Sequence, residues 1–448
     1  MNYIKKKDLY ELKDFLILWS TQCISQLGSS ITAFALTLWL YGETGSSLST
    51  AALTICSYAP YVLMSIFAGA LTDRFDKKKT MLCCDVFAVF CTIVTLILFR
   101  TDRLMVWHLY LLNAVSGLMN TVQQPASEVA MTLIIPEKEY QRTSGLRSLT
   151  RSLVSILNPL IATALYALVG LDGVIAVDIG SFAIAFVALA FFIQIPESKR
   201  EQKESVLTLA KEGLVFLKET PMIMTLILFM SGVNLVASAF DATLPGYVIP
   251  NPKGGQAVLG IVTSCAGVAM IIGSLIVSVL PKPKDRVKVI YLTMLFSLGS
   301  ENFLLAFSRE PVLWCLGQII GWILVPVMSA NLDVILRTTI PVELQGRVYA
   351  CRNTLQFFTI PIGLFAGGFM VDSVCEPFMQ NHGNLGLLRV LFGTGKGSGA
   401  ALMMFILGVG GTVLCLVTGR KLKKYQYSDS FTEVKKMVLR LELKIRNI

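Results

Sequence analysis

From Phe15 to Gly42 the chain carries no Asp, Glu, Lys or Arg, and residues 44–72, 254–281 and 397–419 are likewise uncharged. A helix needs about 20 predominantly apolar residues to cross the hydrocarbon core of a bilayer, so each of these runs is long enough to span one. The composition agrees. Charged residues are 15% of the 448, against about a quarter in a soluble domain, and mean hydropathy is +0.66. No single aqueous core hides that much apolar surface, so the chain reads as an integral, all-α membrane protein.

Twelve spans are expected, near residues 15–41, 48–72, 80–99, 104–135, 144–170, 173–195, 221–249, 256–280, 287–308, 311–337, 345–372 and 398–419. The basic residues set their orientation. With the N-terminus inside, only Arg100, Arg103, Lys253, Arg309, Arg389 and Lys396 fall outside, which places both termini in the cytoplasm of a multi-pass protein of the cell membrane. The net charge of +10 is thus explained by topology, and nucleic acid is not an expected partner. Lys5, Lys6 and Lys7 precede an apolar stretch too long for a signal peptide, which is read as an uncleaved first span. The 10 cysteines show no CxxC spacing and lie mostly in apolar runs, so neither a disulfide framework nor a metal site is expected.

Pro196 to Thr220 is the longest polar interruption before the tail, with Val206, Ala210, Gly213, Leu214 and Leu217 at helical spacing. It predicts a cytoplasmic amphipathic linker over 196–220, between a six-helix half at 1–195 and a second at 221–419, followed by a tail at 420–448. The halves echo each other. Ile135-Pro136, Arg142 and Arg147 recur at one constant offset as Ile340-Pro341, Arg347 and Arg352. Two parallel six-span repeats are an arrangement of secondary transporters, with the solute site between them.

Between spans two and three stands Gly69-Ala70-Leu71-Thr72-Asp73-Arg74-Phe75-Asp76-Lys77-Lys78-Lys79. It resembles the signature loop of the major facilitator superfamily, with Asp76 where that loop has its second Gly and Lys77 where it has an Arg. Ser25-Gln26-Leu27-Gly28-Ser29, Thr44-Gly45-Ser46, Asp178 with Ser181-Phe182, and Pro341 with Gly346-Arg347-Val348 are similar to the macrolide-efflux branch. The resemblance implies a transporter that exports amphipathic solutes, with Gly69, Asp73, Arg74, Lys77 and Lys78 as a conformational latch. A loop that only directs topology is the plainer reading of the same residues.

Gly393 to Gly399 invites a nucleotide-binding reading, but Val390 stands where a P-loop needs Gly and Gly397 where it needs Ser or Thr. Neither an ATPase nor any other enzyme is expected, and no cofactor. Transport then needs an ion gradient or the solute's own. Ionisable groups inside spans cost about 2.5–3.5 kcal/mol on insertion scales, which singles out Glu128, Asp178, Asp241, Glu301 and Asp333.

Span seven carries Ser231, Asn234, Ser238 and Asp241 on one helical face. The stripe reads as a cavity wall with a proton-carrying Asp241, or equally as a buried interhelical network. Gln22, Gln26 and Ser29 in span one, and Asn113, Ser116, Asn120, Gln123 and Ser127 in span four, form comparable stripes. Glu301 and Glu128 are the other proton-coupling candidates. Glu128 with Arg147 or Arg151, and Asp333 with Arg337, are structural ion-pair candidates. Asp178 reads as a helix-packing residue. Trp314 and Trp322 read as cavity-lining or interfacial aromatics. Beyond Arg420, Val434, Met437, Val438, Leu441 and Ile445 share one face amid lysines and arginines, which predicts an amphipathic tail that lies on anionic lipid or packs on the cytoplasmic face of the transporter or its partner.

Taken together these features predict a small amphipathic solute, protons and membrane lipids as partners, with proton antiport by alternating access. A siderophore or metabolite exporter of the same fold, and a membrane sensor or scaffold without flux, are the competing readings.

Overall fold

The computed structural model describes residues 12–74, 76–135, 140–195, 206–382 and 386–423. Of the expected lipid-binding tail at 420–448, residues 424–448 lie outside them. Every regular element among the described residues is helical, as hydrocarbon requires of a backbone that must satisfy its own N–H and C=O groups.

Two compact units emerge: residues 1–202 with 256–264, and residues 203–255 with 265–448. The first holds α1 (Lys13–Thr44), α2 (Ser47–Arg74), α3 (Lys77–Arg100), α4 (Val106–Ile134) and α5 (Tyr140–Val187), which ends in a π-helical turn at Ala188–Phe192. The second begins with α6 (Val206–Glu219) and α7 (Pro221–Val248). Next comes α8 (Gln256–Val279), whose first turns belong to the first unit: Ser264 Oγ donates to the Ile156 carbonyl at 2.9 Å. Then follow α9 (Arg286–Phe307), α10 (Pro311–Ile323), α11 (Val325–Thr339), α12 (Val342–Phe357), α13 (Thr359–Phe369), α14 (Glu376–His382), α15 (Gly386–Phe392) and α16 (Ser398–Leu422).

The helix ends follow from local chemistry. Gly45, at φ 60°, closes α1 by donating to Tyr41 O at 2.8 Å, the left-handed cap that glycine adopts without strain. Asp76 Oδ1 accepts from Lys79 N at 2.8 Å and so caps α3, the use to which the chain puts the aspartate in its signature loop. Lys78 Nζ donates to Ala190 O (3.0 Å) and Ile193 O (2.7 Å), placing a cation on the carboxyl end of the α5 rod. Farther on, Glu376 accepts from Gly397 N (3.1 Å) and Gly399 N (2.9 Å), an anion at the amino end of α16. That contact gives the Gly393–Gly399 run its role as the entry to a helix.

The repeat seen in the sequence has a structural counterpart. Each Ile-Pro pair ends a helix, and the residue before proline is pushed into extended conformation. Ile135 lies at φ −89°, ψ 128° and Ile340 at φ −91°, ψ 123°; their N–H groups donate to Met131 O and Leu336 O.

Ten of the described helices are long and apolar enough to cross a membrane by length and composition, where twelve spans were expected. Two features account for the difference. Residues 153–192 count as one span because α5 runs on through Gly170, at φ 66° and ψ −172°. Helix α4 is not among the ten, its apolar residues being diluted by Asn113, Asn120, Gln123 and Gln124.

In the first unit α1 packs along α5, and α4 against α2 and α3. In the second, α7 packs on α13 and α16, α9 on α16, α10 and α11, and α6 on α12. Large apolar side chains such as Leu63, Leu168, Phe191, Val279 and Val312 point outward, the surface a lipid-facing helix presents.

Gly170 occupies backbone space nearly closed to other residues, at a cost of about 1–3 kcal/mol for a side chain there. Gly170→Ala is expected to lower the thermal unfolding midpoint of the purified protein in detergent. Gly180→Ala, where an added Cβ meets nothing within 4 Å, should leave it unchanged.

Candidate functional site

The 3–4 spacing of polar residues puts Gln22, Gln26 and Ser29 on one face of α1, and Asn113, Ser116, Asn120, Gln123 and Ser127 on one face of α4. Both faces open onto a single cavity of about 670 Å³ in the first unit, together with Ser57 of α2, Asp85 of α3 and Asp178 of α5. Trp19, Leu36, Leu112, Met131, Ile175 and Phe182 supply its apolar wall.

Asp178 is buried and accepts from Ser29 Oγ at 3.0 Å, while Ser181 Oγ donates to the Asp178 carbonyl at 2.8 Å. Gly28 permits this approach. A Cβ there would strike Ser181 Oγ and stand 3.2 Å from Asp178 Oδ1. The Gly28-Ser29 and Asp178–Ser181 motifs, far apart in sequence, are thus two sides of the α1–α5 crossing, and Asp178 both packs there and borders the cavity.

Asp85 was not singled out from the sequence. It is 6% exposed, and Gln123 Nε2 donates to its Oδ1. The Gln22 side chain lies within hydrogen-bonding reach of the same carboxylate, and Trp19 Nε1 has no protein partner. Among the described residues lining the cavity there is no Lys, Arg or His. The available signal was a lone acid inside the apolar run from Met81 to Leu98, which the adjoining lysines of the loop obscured.

The α7 stripe is placed otherwise. Thr359 Oγ1 donates to Ser231 O (2.7 Å), Asn234 Nδ2 to Gln356 O (2.9 Å), and Ser238 Oγ to Asn234 O (2.7 Å). On α13, a Cβ at Gly363 would strike Ser238 Oγ and Leu235 O. Ser231, Asn234 and Ser238 therefore join α7 to the α12–α13 segment, and the cavity-wall expectation for them gives way to interhelical packing. The reason is the absence of side chain at Gly363 and Gly367, which lets backbones close on the polar face.

Asp241, the last member of the stripe, keeps an accessible side chain although protein surrounds it. Glu301 of α9 is 6% exposed, with Oε1 unpartnered, and packs on α10, where a Cβ on Gly321 would strike its carboxylate. Asp241 and Trp322 lie within its electrostatic and hydrogen-bonding reach. Trp314 is fully buried and donates to Tyr247 Oη at 3.1 Å, so it is a core residue and neither a cavity wall nor an interfacial anchor.

Asp333 and Arg337 are both exposed and form no ion pair with each other; Asp333 instead lies within reach of Arg352. An i, i+4 spacing permits a pair without requiring one. Arg347 instead pairs with Glu212, tying the linker helix α6 to α12. Lys77 is buried, and Lys78 serves the α5 end as described. The surroundings of Gly69 and the side chains of Asp73, Arg74, Glu128, Arg147 and Arg151 are not among the described features, so of the expected latch only Lys77 and Lys78 are placed, and the Glu128 ion pair is not.

A sequence profile of the Major Facilitator Superfamily matches residues 18–363. The chain belongs to that superfamily. It is 24% identical over 378 residues to macrolide efflux protein A of Streptococcus pyogenes, covering 83% of this chain and 92% of that one. It is 23% identical over 364 residues to the multidrug efflux pump Tap of Mycolicibacterium fortuitum, covering 77% and 86%. The crystal structure of the nucleoside transporter NupG superposes with a TM-score of 0.64 at 12% identity, over 91% of this chain and 99% of that one. The chain is thus a multi-pass membrane transporter of this superfamily, built of helices and similar to efflux pumps.

The Ser29–Asp178 bond gives a direct test of the α1–α5 crossing. Ser29→Ala leaves a buried carboxylate oxygen without its donor, which costs about 1–3 kcal/mol. The unfolding midpoint in detergent is expected to fall, and Ser29→Thr, which keeps a hydroxyl, is expected to restore much of the loss.

Proposed function

We propose that this superfamily member is a secondary efflux transporter. It carries amphipathic small molecules out across the cell membrane by alternating access, in exchange for protons. It would do so through twelve spans in two six-helix halves with both termini cytoplasmic, α5 contributing two crossings about Gly170 and α4 a polar one. The observation that carries the reading is the meeting of the α1 and α4 stripes, with an apolar wall, in one cavity of about 670 Å³. That is a drug-sized, mostly preformed site with a few convergent polar groups. The outward direction draws on the efflux relatives.

Asp241 and Glu301 suit the proton step. Their neighbouring carboxyl groups sit on α7 and α9 of the second unit, one accessible and one buried with an unpartnered oxygen. A carboxyl group inside a span is a costly side chain that transporters retain for proton relays. Separating these acids from the solute cavity lets one unit take the proton and the other the solute, with the linker helix α6 held by the Glu212–Arg347 pair.

The test is uptake into inside-out vesicles, whose lumen corresponds to the cell exterior. Acidifying the lumen should drive accumulation of an amphipathic dye by the parent. Asp241→Asn and Glu301→Gln keep shape and polarity but cannot ionise, and each is expected to remove most of the pH-driven component while equilibrium binding of the dye persists. Full pH-driven uptake by the double variant would refute the proton assignment. Absence of any counterflow by the reconstituted parent across a panel of amphipathic solutes would refute transport.

A further inference from the structure

We propose that Cys265 and Cys315 together form a binding site for a neutral organic arsenical, whose trivalent arsenic bonds both sulfurs and bridges α8 to α10. Both thiols are free and half-buried, and each lies within hydrogen-bonding reach of the other. The packing of the two helices accounts for the meeting. A Cβ at Gly273 would strike the Ile323 carbonyl and stand 3.1 Å from Pro326 Cδ, so α8 closes on the end of α10 where it carries no side chain. From Gly273 back to Cys265, and from Ile323 back to Cys315, is the same eight residues, about 12 Å of helical rise. The helices therefore run parallel, with the two thiols at one level, in the third turn of α8 and the second turn of α10.

The surroundings select the ligand. Among the described residues no three His, Cys, Asp or Glu side chains gather in a metal-holding group, so the pair lacks the four ligands of a structural zinc site. An arsenic atom already bonded to one organic group needs two sulfurs and nothing more. Both helices are apolar enough to cross a membrane. Ile261 and Val268, one turn to either side of Cys265, and Val312, three residues before Cys315, are exposed, so the thiols lie beside an apolar outer surface. A charged ligand or product is costly in such surroundings. An arsenoxide avoids that cost. Two arsenic–sulfur bonds form, two S–H bonds and the arsenic–oxygen bond break, and the oxygen leaves with both thiol protons as water. Nothing is oxidised or reduced, and no net charge appears.

The experiment treats the full-length protein in detergent with equimolar phenylarsine oxide and follows it by intact-protein mass spectrometry. The parent should take up one phenylarsenic group per chain, which 2,3-dimercaptopropanol strips and a monothiol does not. A second bond made within the same chain strengthens binding about a hundredfold or more, so Cys265→Ser and Cys315→Ser should each weaken it by that factor. Cys83→Ser, which removes an exposed thiol of α3, should leave it unchanged. Undiminished binding by either of the first two variants, or absence of an adduct on the parent, would overturn the proposal.

Should a serine variant fail to fold, the parent decides. Proteolysis of its adduct should release a fragment of α8 joined through arsenic to a fragment of α10, and an adduct found on any other cysteines would reject the site. Bridging should also raise the unfolding midpoint of the parent in detergent, because a link between distant residues restricts the unfolded chain; an unchanged midpoint would count against a bridge. None of these readouts depends on flux, so failure of the transport reading would leave the site standing.

Discussion

A backbone in hydrocarbon has no water to fall back on, so each N–H and C=O must find a partner in the chain itself. Helices meet that demand everywhere except at their ends and breaks, and those points are where charged and special residues gather in this protein. Lys78 takes up the last carbonyls of the α5 rod, Glu376 the first N–H groups of α16, and Asp76 that of α3. Gly170 turns one continuous rod into two without a loop. The charges that survive near the membrane are therefore mostly structural, which makes the exceptions informative.

Four acids stand apart from that pattern: Asp85, Asp178, Asp241 and Glu301. Asp178 has a hydroxyl donor and a packed crossing, and behaves as a structural polar group that also borders the cavity. Asp85 is held between the Gln22 and Gln123 amides, and Glu301 retains an oxygen without a protein partner. Asp85 borders the cavity of the first unit, whereas Glu301 is enclosed by α10 with Asp241 beside it.

Much of this was legible before the structure. Uncharged runs identified the spans, and the Ile-Pro repeat marked helix ends that share nearly the same backbone angles. The α1 and α4 stripes, which spacing alone leaves open between a cavity wall and interhelical packing, border one cavity in the first unit. The α7 stripe looked the same and packs instead. Periodicity says which residues share a face; it does not say what that face meets. The missing information sat on a different helix, at Gly363 and Gly367, whose bare backbones approach α7. Asp85 was illegible for a related reason, since its significance comes from Gln22 and Gln123 on two other helices. Of the two expected spans missing from the ten, one is joined to its neighbour through Gly170, and the other is α4, because a helix that lines a polar cavity gives up the hydropathy by which a span is recognised.

The two units therefore share a repeat but differ in chemistry. At equivalent Ile-Pro positions their backbones agree, as an ancestral duplication would leave them. The polar face of α1 borders a cavity, whereas that of α7, its counterpart in chain order, is bonded to the α12–α13 segment by Thr359 and the Gln356 carbonyl. The difference follows from where the close approach falls: Gly363 and Gly367 of α13 bring its backbone onto the polar face of α7, whereas Gly28 lets α1 meet α5 beside its polar face and leaves Gln22 and Gln26 on the cavity.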